Sequence, residues 1–483
     1  MNTPLRRLST VIIVMFVALM AASTWVQFVK APQLNNDARN VRTLYREYGN
    51  PRGPIVVGGE AVAYSVPADT SFNFLRTYTN GPLYAPVTGF YSVVYTRSGL
   101  EQAMNTELNG TADSLFLSRL QDLITGRQPQ GASVELTIDP VVQQAAWDAL
   151  AGQVGAVVAI DPATGAILAM VSSPSFDPNL LAGHSTPEVT AAWAALNEDP
   201  ARPMVNRAIA GDTYPPGSVF KLVTAAAALE SGLSPDTVVE APLELDLPQS
   251  SNTIGNFGGS ACSPTDTISL ADALRISCNT AFGRLGLDLG DDALRDQARA
   301  FGFDTALTIP LRVTESRYPA EPDLPQTALT AIGQHDVRVT PLQVAMVSAA
   351  IANDGVLMRP YLVDNVRNQD LTSVSATTPA ELGRAVSPTT ARQLRDMMVA
   401  VVDSGTGLAA RIDGVSVAGK TGTAQTTADA APHAWFTAFA PANDPRVAVA
   451  VVVEHGGALG DEATGGAVAA PIARAVIQAV MNR

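Results

Sequence analysis

An α+β fold is the expectation for this chain, and three observations carry it. Strand-like segments stand at both ends of a long module that begins near residue 153, and helical patterning fills its middle. The composition supports a large core, with 47% of the 483 residues hydrophobic, 16% charged and a mean hydropathy of +0.14. Strands separated by a helical middle must find each other to satisfy their backbone groups, so the sheet closes through long-range pairing. The balance of 31 basic against 45 acidic side chains, a formal charge of −14, argues against a nucleic-acid partner, because phosphates are held by clustered Lys and Arg. Two cysteines are too few for a disulfide-framework scaffold, and the apolar content is too high for a disordered chain.

Residues 1–10 read as a cytoplasmic leader carrying Arg6 and Arg7. Val11–Val29 is an uncharged apolar run of 19 residues, closed by Lys30. As a helix it would reach roughly 29 Å, enough to cross a hydrocarbon core. The two arginines favour a cytoplasmic N-terminus and an extracytoplasmic bulk, so a retained single-pass anchor is expected in the cell membrane. A signal peptide cleaved near Ala21-Ala22-Ser23 is the competing reading and leads to the same compartment. Residues 31–152 read as a smaller, non-catalytic module with short apolar runs such as Ile55-Val56-Val57, broken by Gly and Pro. Near its end Val134–Ile138 alternates like a strand. Asp139 and Pro140 then suit the cap and first residue of a helix reaching about Ala151.

The module spanning 153–483 opens with a predicted hairpin, Ala156–Ile160 and Ile167–Val171, around a turn-rich Asp-Pro-Ala-Thr-Gly. Later strands are expected at Val415–Gln425, Trp435–Ala440 and Val447–Glu454, and a helix at Ala469–Met481. Only three of the 31 basic residues are lysines, Lys30, Lys221 and Lys420. Arginine cannot deprotonate in a protein whereas a desolvated lysine can, so a chain this poor in lysine marks the places where an amine is needed. Lys221 lies three residues after Ser218, ahead of the helical run Leu222–Leu229. That spacing sets a hydroxyl at the head of a helix on the same face as an amine able to take its proton. Ser277-Cys278-Asn279 supplies a hydroxyl and an amide on a loop between helices. Lys420-Thr421-Gly422-Thr423 belongs to a strand-like segment where a cation and hydroxyls suit a carboxylate. Cys262 and Cys278, 16 positions apart, either pair as a disulfide, which the compartment permits, or remain two buried thiols.

Two motif matches are decoys. Gly414–Thr421 satisfies the P-loop pattern, but its valines alternate like a strand and poor helix formers follow it. Gly405-x-Gly407-x-x-Ala410 follows a helical pattern at Thr390–Val402, so it reads as a turn rather than a dinucleotide fingerprint. His184, His335, His433 and His455 show no metal-ligand spacing, and their expected role is structural. No metal and no cofactor are expected.

Ser-x-x-Lys, Ser-x-Asn and Lys-Thr-Gly, in this order, resemble the signature of the penicillin-binding proteins and serine β-lactamases. The flanks Tyr214-Pro-Pro-Gly-Ser218, Ala418–Gln425 and Ala434-Trp-Phe436 are similar as well, and the likeness spans about residues 153–483. The short anchored N-terminal module, with Asn50-Pro51-Arg52-Gly53, is similar to an actinobacterial branch of the class B members. The resemblance implies an antiparallel sheet flanked by helices with a helical subdomain. It further implies a D,D-transpeptidase that cross-links peptidoglycan stem peptides ending in D-Ala-D-Ala and is acylated by β-lactams, in wall synthesis and division. By resemblance, Ser218 is the nucleophile and Lys221 its base. Ser277 and Lys420 pass a proton to the leaving amine, and Asn279 orients the peptide. Thr421 and Gly422 line the substrate strand, and the N–H groups of Ser218 and Thr423 form the oxyanion hole. A Cys262–Cys278 bridge would then fix the Ser-x-Asn loop. A glycan polymerase or division proteins are the implied partners. A D,D-carboxypeptidase or β-lactamase using water as acceptor, or a non-enzymatic β-lactam receptor, are the alternatives.

Overall fold

The computed structural model describes residues 2–35, 48–116, 124, 126, 130–425 and 430–482. In chain order, the strands of its two larger sheets begin with Ile55–Val57 (β1), Glu60–Pro67 (β2), Phe74–Tyr78 (β3) and Ser133–Leu136 (β4). Next come Gly155–Ile160 (β5), Ile167–Ser173 (β6), Val363–Arg367 (β7) and Ser373–Ala376 (β8). The last three are Ala418–Ala424 (β9), His433–Ala440 (β10) and Val447–Val453 (β11). The helices that frame the argument are Asn2–Thr24 (α1), Pro140–Leu150 (α2), Lys221–Glu230 (α3) and Asn279–Leu289 (α4). Pro341–Ala352 (α5), Pro388–Ser404 (α6) and Ala470–Met481 (α7) complete them.

Helix α1 starts at Asn2, so the leader and the apolar run form one element that continues through a π-helical turn, Trp25–Val29. Pro4 falls in the first turn, where its missing N–H has no helical partner in any case, and Arg6 and Arg7 extend the helix rather than end it. The most apolar 18-residue stretch of Thr3–Val29 has a mean hydropathy of 2.1 with no part buried in the protein, and the helix is long and apolar enough to span a membrane. Helix α2 begins as its cap residue dictates, the Asp139 carboxylate accepting from the N–H groups of Val141 at 2.9 Å and Val142 at 3.0 Å.

The predicted long-range closure is present. The sheet of the larger module runs β9-β10-β11-β5-β6, all antiparallel, with Ala450 opposite Val158 although nearly three hundred residues separate them. Every residue of β10 and β11 is buried, because both faces are covered. Val157, Ala159, Phe436, Val449 and Val451 point to α2 and α7, whereas Val158, Trp435, Phe439, Ala450 and Val452 point to the helical side, where α5 lies wholly inside. Strand β9 is the edge, and among the described residues only one of its sides is paired.

The second sheet mixes the two modules, in the order β8-β7-β4-β1-β2-β3. Strand β7 pairs antiparallel with β4, Val366 facing Val134, and Arg367 Nε donates to Glu135 at 2.7 Å. A division at 152/153 therefore leaves on its far side a hairpin that completes the N-terminal sheet. Within that module Glu101 is fully buried between Arg52 at 2.5 Å and Arg76 at 2.6 Å. Burial alone would raise its pKa, but the two guanidinium groups, Arg76 foremost, hold it below the usual carboxylate value. The Asn-Pro-Arg-Gly run thus supplies one of the two arginines of a buried ion cluster.

Candidate active site

Ser218 lies in the 3₁₀ turn Gly217–Phe220, and α3 begins only at Lys221. This differs from the expectation of a serine at the head of the α-helix itself. The tighter turn arises because Tyr214-Pro215-Pro216 enters rigidly and Gly217 takes a φ of +53°, open to glycine at no steric cost. In 3₁₀ geometry residues three apart eclipse each other, so the hydroxyl and the amine share one side of the turn. Ser218 is half-buried, and among the described residues its hydroxyl makes no hydrogen bond.

Lys221 and Lys420 are both fully buried and meet at one hydroxyl. Lys221 Nζ donates to Ser277 O at 2.8 Å and to Asn279 Oδ1 at 2.7 Å, and lies 3.3 Å from Ser277 Oγ. Lys420 Nζ donates to Ser277 Oγ at 2.9 Å and to Thr421 O at 2.9 Å. Among the described residues no carboxylate joins this group. Burial, and after it the proximity of Lys420, hold the Lys221 amine well below the ordinary lysine value. Burial pushes Lys420 down to about 7. A neutral amine has two N–H bonds and one lone pair. With both N–H groups of Lys221 donated, the lone pair is left to receive a proton.

The loop that supplies Ser277 and Asn279 is held in place locally. Ser277 has a φ of +62°, a left-handed conformation that costs an L-residue roughly 1–2 kcal/mol. Asn279 is the first residue of α4, and its Nδ2 donates to Gly255 O at 3.0 Å, which fixes the amide so that Oδ1 faces Lys221. The structure pairs Cys262 with Cys278, joining the hairpin side of this loop to the middle residue of Ser-x-Asn.

Strand β9 runs past the serine turn. A side chain at Gly217 would come within 2.6 Å of Thr423 O, so the backbone of Thr423 on the unpaired edge faces that turn. The N–H and C=O of one strand residue point the same way, so the Thr423 N–H faces it too. A side chain at Gly422 would meet Trp435 Cβ at 2.9 Å, Val219 Cγ1 at 3.0 Å and Pro216 O at 3.1 Å. That glycine lets the strand and the turn close on each other. The Thr421 hydroxyl, expected to be free for substrate, bonds the Thr406 hydroxyl at 2.6 Å. Thr406 sits in the Gly405-x-Gly407 turn, whose Gly405 packs against Arg275 O, so this dinucleotide-like match is a packing turn that props Thr421. The P-loop match dissolves likewise: Asp413-Gly414 is a turn closed by an Ile412–Val415 bridge, and strand β9 follows from Ala418 instead of a helix.

Tyr214 and Trp435 stand in the flanks that carry the resemblance, but their supporting partners Arg207 and Glu454 gave no sequence signal. The Tyr214 hydroxyl and Arg207 Nε both donate to Glu454 Oε1, at 2.7 and 2.9 Å, and Trp435 Nε1 donates to Pro215 O at 3.1 Å. These contacts, from segments 207, 435 and 454, anchor the approach to Ser218. Beside them lies a cavity of about 450 Å³ lined by His335, His433 and His455 among others. His433 Nδ1 accepts the His455 N–H at 3.1 Å, and burial first, with His455 second, pushes its pKa down to about 4, keeping it neutral.

A serine on a tight turn, two buried amines and the free edge of an antiparallel sheet define a serine acyl-transfer protein of the penicillin-interacting fold. The model of the penicillin-binding protein transpeptidase domain matches residues 155–478, and that of the penicillin-binding protein A dimerisation domain matches 52–134. The chain belongs to the penicillin-binding protein transpeptidase family. It is 50% identical over 493 residues to the peptidoglycan D,D-transpeptidase PbpA of Mycolicibacterium smegmatis, covering 100% of this chain and 99% of that one. It is 48% identical over 492 residues to PbpA of Mycobacterium tuberculosis H37Rv, with the same coverage of 100% and 99%. A ceftriaxone acyl-enzyme complex of penicillin-binding protein A from M. tuberculosis superposes with a TM-score of 0.88 at 48% identity, covering 90% of this chain and 100% of that one. The penicillin G acyl-enzyme of the same protein gives 0.86 at 48% identity, covering 89% and 100%.

Proposed function

We propose that this chain is a membrane-anchored peptidoglycan D,D-transpeptidase that works through an acyl-enzyme on Ser218. The observation that carries the reading is the Ser277 hydroxyl held between two buried amines, Lys221 and Lys420, next to the serine turn and the free edge of β9. Ser218 Oγ attacks the carbonyl between the two D-Ala residues of a stem peptide while Lys221 takes its proton. The oxyanion gathers at the N–H groups of Ser218 and Thr423, an arrangement that supplies about 3 kcal/mol per donor in other enzymes. The C–N bond then breaks, and the departing D-Ala amine receives a proton relayed through Ser277 from the Lys221–Lys420 pair. A second stem peptide's amine attacks the ester, gives up a proton by the same route, and frees Ser218 as the cross-link forms. β-Lactams acylate the same hydroxyl.

The anchor is the apolar run Val11–Val29 within the helix Thr3–Val29, and Arg6 and Arg7 before that run support a cytoplasmic N-terminus with the catalytic module outside. Cross-linking needs glycan strands made by another enzyme, so a glycan polymerase or division proteins are the partners we infer. The division into a non-catalytic module at 31–152 and a catalytic one at 153–483 fits the two family matches.

Mass spectrometry of the full-length protein in detergent with penicillin G tests the core of this reading. One adduct is expected, on the peptide containing Ser218, and none in Ser218→Ala. A long-lived adduct together with cross-linked product from a pentapeptide substrate supports transpeptidation. Release of the adduct within seconds would point to hydrolysis instead.

A further inference from the structure

We infer that Asn256, outside all three catalytic motifs, is a positioning residue that sets Asn279 and through it the Lys221 amine. The inference rests on the catalytic reading above. Asn256 Oδ1 accepts two backbone N–H groups, those of Asn279 at 2.9 Å and Thr280 at 3.1 Å. These are the first two residues of α4, whose N-terminal N–H groups have no partner within the helix. The cap residue of α4 is Cys278, whose side chain is committed to the disulfide and makes no capping bond. A side chain from elsewhere in the chain therefore does the capping that a Ser, Thr or Asp at that position normally does.

The hairpin that carries Asn256 is itself docked on α4. Its strands, Glu244–Asp246 and Thr253–Gly255, direct Leu245 and Ile254 at Gly283, where an added methyl would meet those side chains at 3.0 and 3.1 Å. Gly255, next to Asn256, accepts from Asn279 Nδ2 at 3.0 Å, and Cys262, a few residues on, is bridged to Cys278. Segment 244–262 thus grips Asn279 at its backbone N–H, at its side-chain amide and, through Cys278, at the preceding residue. What it delivers is the orientation of Asn279 Oδ1, which takes one of the two hydrogens of Lys221 Nζ at 2.7 Å. Without that acceptor the amine turns away from Ser218, and water reaching it would favour its charged form.

The test follows acylation of the full-length protein in detergent by a fluorescent penicillin, from pH 5 to 10. Asn256→Ala is expected to lose about tenfold or more in the second-order rate, the size expected for a misplaced catalytic group. The acid limb of its pH profile should move to higher pH. Asn256→Gln, which moves the same amide one methylene outward, should show a similar loss in a protein melting near wild type. Asn256→Asp keeps an acceptor for both N–H groups and should restore the plateau rate. A wild-type rate with an unmoved acid limb in Asn256→Ala and Asn256→Gln would overturn the inference, as would a loss that Asn256→Asp leaves unrepaired. Wild-type protein forming no Ser218 adduct would refute the catalytic reading itself.

Discussion

In the proposed mechanism Lys221 acts uncharged, as the base that takes the Ser218 proton, and that sets the consequences of altering it. Lys221→Arg keeps a cation where a base is required, and guanidinium cannot deprotonate in a protein. We expect labelling by a fluorescent penicillin to fall by about three orders of magnitude, within the range assigned to general base catalysis. Equal labelling of the two proteins would contradict the role. Lys420 yields a prediction about stability. Its native pKa of about 7 lies below the ordinary 10.5, so between these values the unfolded chain binds more protons than the native one. Stability therefore rises with pH above 7. Near pH 10 the slope turns over, because burial raises the phenol pKa values of Tyr78 and Tyr214 and the unfolded chain then loses protons first. Chemical denaturation of wild type and Lys420→Met across pH 7–10 should show the rise diminished in the variant. At this scale the sequence was highly informative: the scarcity of lysine singled out both amines. It could not announce Asn256, Thr406 or Glu454, which are ordinary residue types in ordinary contexts whose partners lie 15 to 247 positions away.

Strand β9 and the 3₁₀ turn are positioned by glycines, and this is where element-level predictions fall. In Gly422→Ala the new methyl faces Trp435, Val219 and the Pro216 carbonyl at about 3 Å, on rigid neighbours. Overpacking of this kind costs about 1–3 kcal/mol, and here it separates strand from turn. Acylation should fall by more than tenfold while the melting temperature drops by only a few degrees. The opposite pattern would remove the claim that Gly422 sets the approach. Replacing Cys262 and Cys278 with serine opens a closed loop of 16 residues, worth about 3 kcal/mol when the bridge constrains the unfolded chain. Calorimetry should register a lower melting temperature together with slower acylation. Most elements were legible from pattern: the hairpin β5–β6, β10, β11, α2 with its Asp139 cap, and α7. Two departures have local causes. Val415–Val417 continues the alternation of β9 but is drawn into a turn at Gly414, whose φ is +78°. The serine turn is 3₁₀ because two prolines and a left-handed glycine precede it.

At the scale of the whole molecule, the sheet shared by β4 and β7 joins the two modules through backbone hydrogen bonds and the Arg367–Glu135 pair. A segment 153–483 made alone would expose the unpaired edge of β7, a template for association with other chains. We expect it to be less stable and more prone to self-association by light scattering than the chain lacking only the N-terminal helix α1. Equal behaviour of the two would mean that the shared sheet couples nothing. The residues by themselves determined the fold class, the apolar N-terminal helix and the order of the three motifs, and they nominated Ser218 and Lys221 for the proposed chemistry, because those depend on local periodicity and on what each side chain can do. The tertiary structure alone decided that a hairpin near residue 370 completes the N-terminal sheet, that Arg52 and Arg76 share a buried Glu101, that the Thr421 hydroxyl is already taken, and that an amide from a distant hairpin caps the Ser-x-Asn helix. Such facts are set by which distant segments come to share a buried surface, and no local pattern in the chain encodes that choice.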